Sequence, residues 1–317
     1  MRPKIVVVGS SNTDLVVQVN YLPAPGETIL GDNFMMARGG KGANQAVAAA
    51  RLGAEVTFIS RLGQDSFGEM ALSACQAEQI NTEFISIDTQ SASGVALIMV
   101  DQLGENVIAV AGGANNTLAP EHVHAAEAAI QEADCVLLQL EIPLETVKTA
   151  VSLANKHNVP VILNPAPAMA LPTDLLQAID ILTPNETEAA ILGLINREAG
   201  DNIQDINPFG IQTVIVTLGG RGALLVQENV RDHIPAYPID VVDTTAAGDA
   251  FNGALAVALA NGRSLPDAID FANAAGALAA SKASAQTSLP TLEKVEQLQS
   301  TTILNTKKRG GALAKEP

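Results

Sequence analysis

The sequence predicts an α/β fold with a mostly parallel central sheet, helices on both of its faces, and a smaller second sheet. Short, unbroken apolar runs alternate with helix-length amphipathic segments, as expected for strands buried on both faces. Two pairs of extended segments fall outside that rhythm and supply the small sheet. The chain has 317 residues, is 47% apolar and contains no long Pro/Ser/Gly linker. One domain over residues 1–300 with a smaller elaboration is therefore expected, followed by a flexible tail at 301–317.

The expected core strands are Lys4–Val8, Glu55–Ile59, Cys135–Leu138, Pro160–Leu163, Ile179–Leu182 and Thr213–Thr217. Between them lie helices over Gly42–Leu52, Ser66–Gln79, Pro120–Gln131, Leu144–His157 and Glu186–Leu192. Asp14–Asn20 and Glu27–Ala37 follow the first strand with no helix between them. Gly94–Val100 and Asn106–Ala111 flank the turn-rich Asp101-Gln-Leu-Gly-Glu105 and read as a hairpin. Gly248–Ala260 carries apolar residues at helical spacing up to the cap signal Asn261-Gly262, and the alanine-rich Pro266–Lys282 reads as the next helix.

Composition excludes several classes of function. With 34 acidic against 18 basic residues the formal charge is −16, so the basic surface of a nucleic-acid binder is missing apart from Lys307-Lys308-Arg309. The two cysteines, Cys75 and Cys135, make no disulfide framework and suit a reducing cytoplasm. The four histidines carry no metal-binding spacing. No apolar run approaches the roughly 20 residues that span a bilayer, and the start of the chain does not fit a signal peptide.

The most informative segment is Asp243-Thr-Thr-Ala-Ala-Gly-Asp249, small residues opening a helix with a carboxylate at each end. Free amides at a helix start can hold an anion, and an ionised carboxylate there can take a proton from a hydroxyl. Read alone, the two aspartates are equally well explained as helix caps. A second cluster, Gly39-Gly-Lys-Gly-Ala-Asn44, leads into an apolar helix; it lacks the Ser/Thr of a phosphate-binding P-loop, and alone it reads as a tight turn. Thr217-Leu-Gly-Gly-Arg-Gly222 lies between two apolar strands, where an ordinary turn and a phosphate-wrapping loop are both open. Glu186 and Glu188 suit a helix dipole or magnesium. Glu141 falls just past a strand, where parallel sheets bind ligands. Together the segments fit phosphoryl transfer, which needs phosphate donors, a metal and a positioned base.

In this order the segments resemble the ribokinase family of carbohydrate kinases, also called the PfkB family, over about Lys4 to Pro290. The carriers are GGKGANQAVAAARLGAEVTFISRLGQD at 39–65 and DTTAAGDAFNGAL at 243–255. Asn12-Thr-Asp14 followed by Leu15–Val19, Gly94–Ile98, Gly104–Ile108 and Gly113–Asn115 are similar to the early sugar-contacting segment and lid of its ribose-phosphorylating members. The resemblance implies a three-layer sandwich with a β-sheet lid built from about 12–38 and 94–111, and a homodimer formed by pairing two lids. It implies ATP-dependent phosphorylation of D-ribose at O5.

By the same resemblance Asn12, Asp14, Gly40, Lys41, Gly42, Asn44 and Glu141 bind the sugar, and Asp249 is the base. The amides of Ala246, Ala247 and Gly248 hold the γ-phosphoryl charge. ATP is lined by Asn185, Thr217, Leu218, Gly219, Gly220, Arg221, Gly222, Gly248 and Asn273. Glu188 lies near Mg2+, through water. An activating K+ takes the Asp243 side chain, the carbonyls of Thr245, Ala279, Lys282 and Ser284, and the Ser288 hydroxyl. Ser284 stands where glycine is expected, so that carbonyl survives only if the backbone angle does. Deoxyribose, ketose or nucleoside phosphorylation, and a non-catalytic sugar sensor, are the alternatives.

Overall fold

The computed structural model describes residues 2–194 and 209–312, with side chains as far as residue 302. In chain order the strands are β1 Lys4–Val8, β2 Asn12–Val19, β3 Gly31–Gly39, β4 Glu55–Gly63, β5 Ile85–Asp88, β6 Gly94–Val100, β7 Asn106–Ala111, β8 Cys135–Leu138, β9 Val161–Leu163, β10 Ile181–Leu182, β11 Thr213–Thr217, β12 Ala223–Gln227 and β13 Val230–Ile234. The helices are α1 Lys41–Arg51, α2 Ser66–Ala77, α3 Pro120–Ala125, α4 Glu127–Gln131, α5 Leu144–Lys156, α6 Thr173–Gln177, α7 Glu186–Ile191, α8 Ala247–Ala260, α9 Leu265–Ala280 and α10 Leu292–Ala312.

The large sheet has nine strands in the order β13-β12-β11-β10-β9-β8-β1-β4-β5. It is parallel from β11 through β5, and β12 and β13 run antiparallel at one edge. Alternation along each strand divides the core into two layers. Ile5 and Val7 pack with Val47 of α1, Leu255 of α8 and Phe271 of α9. Val6 and Val8 pack with Val123 of α3, Ile130 of α4 and Val147 of α5. Because both faces are covered, β1 and β8 contain only apolar residues after Lys4.

The second sheet, β3-β2-β6-β7, pairs β2 with β3 and β6 with β7 antiparallel, and β2 with β6 parallel. Its register places Asp14, Ala37, Ala96 and Val110 on one face. Leu15, Met36 and Leu97 stand on the other, where Met36 is 55% and Leu97 54% exposed.

Several expected boundaries moved. β2 begins at Asn12 and β3 at Gly31, so the lid strands are shifted from the sequence reading. The helix expected over Pro120–Gln131 is two, because Ala126 leaves helical geometry at φ −99 and ψ 12. β5 and β13 were not expected; in the edge strand β5 Ile87 is exposed while Asp88 is buried, and in β13 all but Ile234 are exposed, so neither shows an apolar-in alternation. Helix α10 extends into the segment where the tail was expected, and residues 313–317 lie outside the described residues.

α1 and α8 cross at a contact made of small residues. A Cβ on Gly253 would lie 2.7 Å from the Ala48 Cβ and 2.9 Å from the Gln45 carbonyl oxygen. Alanine is the better helix former by roughly 1 kcal/mol, yet here its methyl would push the helices apart. Gly253→Ala is therefore expected to lower stability by about 1–3 kcal/mol. A lower urea midpoint with unchanged m-value is the readout; a higher midpoint would show that the contact is loose.

Candidate active site

The chemistry-bearing side chains gather at the C-terminal ends of β1, β8, β9 and β10, the crevice where parallel sheets expose loops and helix starts. One polar residue follows closely after each apolar strand: Ser10 after β1, Gln139 after β8, Asn164 after β9 and Thr183 after β10. All four are buried. The N-termini of α1 and α8 and the lid strand β2 complete the enclosure.

Asp249 sits in the first turn of α8 and is 6% exposed. Its Oδ2 accepts from Asn44 Nδ2 at 2.9 Å and its Oδ1 from Gln45 Nε2 at 3.0 Å. Burial raises its pKa; the Lys41 charge and the two amide donors work against that rise. The turn before it is strained, since Ala246 holds φ +58, a left-handed angle costly for a residue with a Cβ. The Ala247 N–H turns back on the Thr244 carbonyl at 3.2 Å. The amides of Ala246, Gly248 and Asp249 make no hydrogen bond among the described residues. A Cβ on Gly248 would meet nothing within 4 Å, so the helix start opens onto free space.

The start of α1 is built differently. The Lys41 N–H donates to Glu141 Oε2 at 3.0 Å, Gly42 N to Ser10 Oγ at 3.3 Å and Ala43 N to the Ser10 carbonyl at 2.8 Å. Its amides are satisfied by protein, which leaves the side chains of Lys41 and Asn44 for a ligand. Gly40 makes the turn possible with φ +88, and a Cβ there would lie 2.6 Å from the Asn12 nitrogen. Glu141 also accepts from the Ser10 hydroxyl.

Three carboxylates act on Lys41. Burial alone would lower the lysine pKa, but Asp249, Glu141 and Glu188 raise it. Asp14, on β2, is pushed up to about 6 by burial and then by the Glu141 and Asp249 charges. Asn12 is buried at the lid root, where its Oδ1 accepts from Asn115 Nδ2 at 2.7 Å. Asn44 Oδ1 is buried without a partner among the described residues and is free to accept from a ligand hydroxyl.

Beside this cluster is a cavity of about 290 Å³. Thr217, Gly219, Gly220, Gly222, Gly248 and Asn273 line it, together with Tyr237, Ile239, Val241, Phe251 and Ala277, which the sequence reading missed. Its walls are mainly apolar, as a flat base requires. Asn273 Nδ2 is spent on the carbonyls of Ile234 and Pro235, so only its oxygen is available. Three expected lining residues, Asn185, Leu218 and Arg221, are absent from the lining. Arg221 instead pairs with Glu186, and Asn185 bridges to Thr217 at the cavity edge.

Asn185 and Glu188 form a reciprocal capping box on α7, with Asn185 Oδ1 accepting from Glu188 N and Glu188 Oε2 from Asn185 N, both at 2.8 Å. Glu188 keeps its second oxygen, and burial raises its pKa. No cluster of three metal-ligating side chains occurs among the described residues. One spare carboxylate fits Mg2+ held chiefly by phosphates and water.

Asp243 Oδ1 accepts from Thr245 N at 2.9 Å and Thr245 Oγ1 at 2.6 Å, and its Oδ2 from Ser284 N at 2.9 Å. Burial works against ionisation, but these bonds outweigh it and hold the pKa below the usual value. Ser284 has φ +79, so the angle expected of glycine is kept by serine. The carbonyls of Thr245, Lys282 and Ser284 accept no hydrogen bond among the described residues, whereas that of Ala279 accepts from Lys282 N at 3.2 Å. Buried Ser288 donates its hydroxyl to the Ala285 carbonyl at 2.8 Å. Asp243 and the unpaired carbonyls of Thr245, Lys282 and Ser284 are oxygen donors of the kind a monovalent cation takes, so their chemistry fits K+.

A buried carboxylate facing a helix start with free amides, next to a nucleotide-sized apolar slot, defines a phosphoryl-transfer enzyme acting on a small hydroxylated substrate. The family model described as "pfkB family carbohydrate kinase" matches residues 2–292, and the chain belongs to that family. A ribokinase of Haemophilus influenzae is 45% identical over 298 residues, 93% of this chain and 97% of that protein. A ribokinase of Staphylococcus aureus is 43% identical over 304 residues, 94% of this chain and all of the other. The structure of Arabidopsis thaliana ribokinase complexed with ribose and ATP superposes with a TM-score of 0.88 at 35% identity, covering 94% of this chain and 99% of that one.

The raised pKa of Asp14 has a stability consequence. The folded state binds its proton more tightly than the unfolded chain does, so stability falls as pH rises from the unfolded pKa of roughly 4 toward about 6 and stays reduced above that. Asp14→Asn is expected to raise the melting temperature at pH 7.5, and the gain should vanish below about pH 4. A thermal melt series across pH that shows no gain at pH 7.5 would contradict the burial argument.

Proposed function

We propose that this enzyme transfers the γ-phosphoryl group of ATP to O5 of D-ribose, giving ribose 5-phosphate and ADP, with Asp249 as general base. The observation that carries the proposal is the Asp249 carboxylate, buried and tethered through both oxygens, at the end of a helix whose first amides are open. The ribokinase matches over more than nine-tenths of the chain support ribose as the acceptor.

The roles follow from the chemistry of each group. Asp14, Asn12, Lys41, Asn44 and Glu141 orient the ring hydroxyls, and the carboxylates reject sugars that leave them unpaired. Asp249 takes the O5 proton as O5 attacks phosphorus. The amides at the start of α8 and the Lys41 ammonium lie where the transferring group gains negative charge. Thr217, Gly219, Gly220 and Gly222 wrap the nucleotide, and the slot of Ile239, Val241 and Ala277 takes the base. Mg2+, reached from Glu188 through water, would neutralise the phosphate oxygens when bound. K+, held by Asp243, Thr245, Ala279, Lys282, Ser284 and Ser288, would stabilise the adjoining turn that carries the open amides.

The lid of β2, β3, β6 and β7 covers the sugar and excludes water. Its far face, with Leu15, Met36 and Leu97 in register, is a sheet surface too apolar to stay bare, which favours a homodimer through paired lids. No helix among the described residues is long and apolar enough to cross a membrane. Cys75 and Cys135 are free and buried, with thiol pKa values pushed up by burial to about 11 and about 12. Both facts favour a cytoplasmic enzyme.

Asp249→Asn should lower kcat by roughly 10²–10⁴-fold while ribose affinity by calorimetry changes little, and near-normal turnover would defeat the assignment. Omitting K+ from the wild-type ADP-release assay should slow it. Leu97→Asp should convert a dimer into a monomer in sedimentation velocity; a monomeric wild type would remove the lid pairing.

A further inference from the structure

Gln45 lies inside the glycine-rich motif at 39–65, yet neither the sequence reading nor the proposed sugar contacts give it a role. It is fully buried in the second turn's approach of α1, and its amide makes three hydrogen bonds. Nε2 donates to Asp249 Oδ1 at 3.0 Å and to Asn164 Oδ1 at 3.1 Å, while Oε1 accepts from Gln139 Nε2 at 2.6 Å. Asn164 is fixed in turn, because its Nδ2 donates to the Thr183 carbonyl at 3.1 Å.

The direction of every bond in this chain is determined. A carbonyl can only accept, so Asn164 must turn its amide nitrogen to Thr183 and its oxygen to Gln45. Gln45 must then present its nitrogen to Asn164, and the same nitrogen reaches Asp249. Rotating the Gln45 amide would set its oxygen against the Asn164 oxygen and the Asp249 carboxylate at once. The far ends of the chain lie at the carboxyl-terminal ends of β8, β9 and β10, in the middle of the nine-stranded sheet.

We propose that Gln45 is a positioning residue for phosphoryl transfer, holding the Asp249 carboxylate ionised and aimed through a one-way amide relay anchored by Gln139 and Asn164. The proposal rests on Asp249 being the base. It assigns separate tasks to two neighbouring residues: Asn44 reaches both Asp249 and the ligand space, whereas Gln45 touches only the base and the sheet.

The electrostatic setting shows why a neutral donor is needed. Asp249 is deeply buried, and Asp14, Glu141 and Glu188 all add negative charge around it, with Lys41 as the cation acting on it. A hydrogen bond to an ionised acceptor favours the charged form. Losing the Gln45 donor should therefore raise the pH at which the base becomes competent.

The test is Gln45→Met, which keeps the side-chain length and removes the donor, measured by single-turnover phosphoryl transfer across pH with D-ribose and MgATP. The acid limb of the rate profile is expected to move up by about one pH unit or more. The neutral-pH rate should fall at least several-fold, with ribose affinity by calorimetry within about threefold of wild type. Gln139→Leu, which acts on Asp249 only through Gln45, should move the limb in the same direction by less. Should either protein melt too low for assay, Asn164→Ser provides the same readout from the third member of the relay. An acid limb that stays in place in folded Gln45→Met, or a loss confined to ribose affinity, would overturn the positioning role. Asp249→Asn run alongside separates the two ideas: retained turnover there defeats the base itself, whereas an inactive Asp249→Asn beside an unshifted Gln45→Met defeats only the relay.

Discussion

The close crossing of α1 and α8 is the constraint on which the site depends. Gly253 and Ala48 let the two helices meet almost backbone to backbone, and that approach brings Asn44 and Gln45 of one helix to Asp249 of the other. A carboxylate removed from water would otherwise take up a proton and lose its use as a base. Packing therefore creates both the problem and a partial remedy, since the same contact that buries Asp249 and raises its pKa supplies donors that work against that rise. The apolar layer of Ile5, Val7, Val47, Leu255 and Phe271 clamps the pair from beneath.

Selectivity and stability pull in opposite directions around this centre. Glu141, Glu188 and Asp249 share Lys41, and beside them burial and then the Glu141 and Asp249 charges push the Asp14 pKa up to about 6. In the proposed reading, a sugar rich in hydroxyl donors would relieve that crowding by satisfying these oxygens. An analogue lacking one hydroxyl leaves a buried acceptor unpaired, and that penalty is larger than any loss of van der Waals contact. Proteins retain such destabilising clusters where binding requires them.

Much of this was legible in the sequence because its cause is local. Continuous apolar runs identified β1, β8 and β11 to the residue, since burial on both faces leaves no polar position to blur the pattern. The DTTAAGD turn and the GGKGAN turn pointed to the helix starts that carry Asp249 and Lys41. The relay through Gln45, Gln139 and Asn164 was not found, because each of its members is a single polar residue whose partners are about a hundred residues away. A usable signal did exist: a polar residue follows closely behind each of the buried strands β1, β8, β9 and β10. The apolar wall of the cavity escaped for a different reason, as Ile239, Val241 and Ala277 have no pattern of their own and are collected only by the fold. The pairing of Arg221 with Glu186 was not legible either, because a glycine loop between strands does not reveal which way its one charged side chain turns.

Two non-glycine residues near the transfer site, Ala246 and Ser284, hold left-handed backbone angles that their side chains disfavour. Neither is isolated. Ser284 is held by its N–H on Asp243, and Asp243 also grips Thr245, the residue before Ala246. One carboxylate thus fastens both strained turns, and just past Ala246 the amides of Gly248 and Asp249 have no partner among the described residues. A cation seated against Asp243 and the Ser284 carbonyl would act on the same pair of turns. It would thereby reach the amides proposed to hold the phosphoryl group through a few backbone bonds. Strain of this kind persists only where neighbouring bonds over-determine it, and here those bonds belong to the group that would also hold the ion.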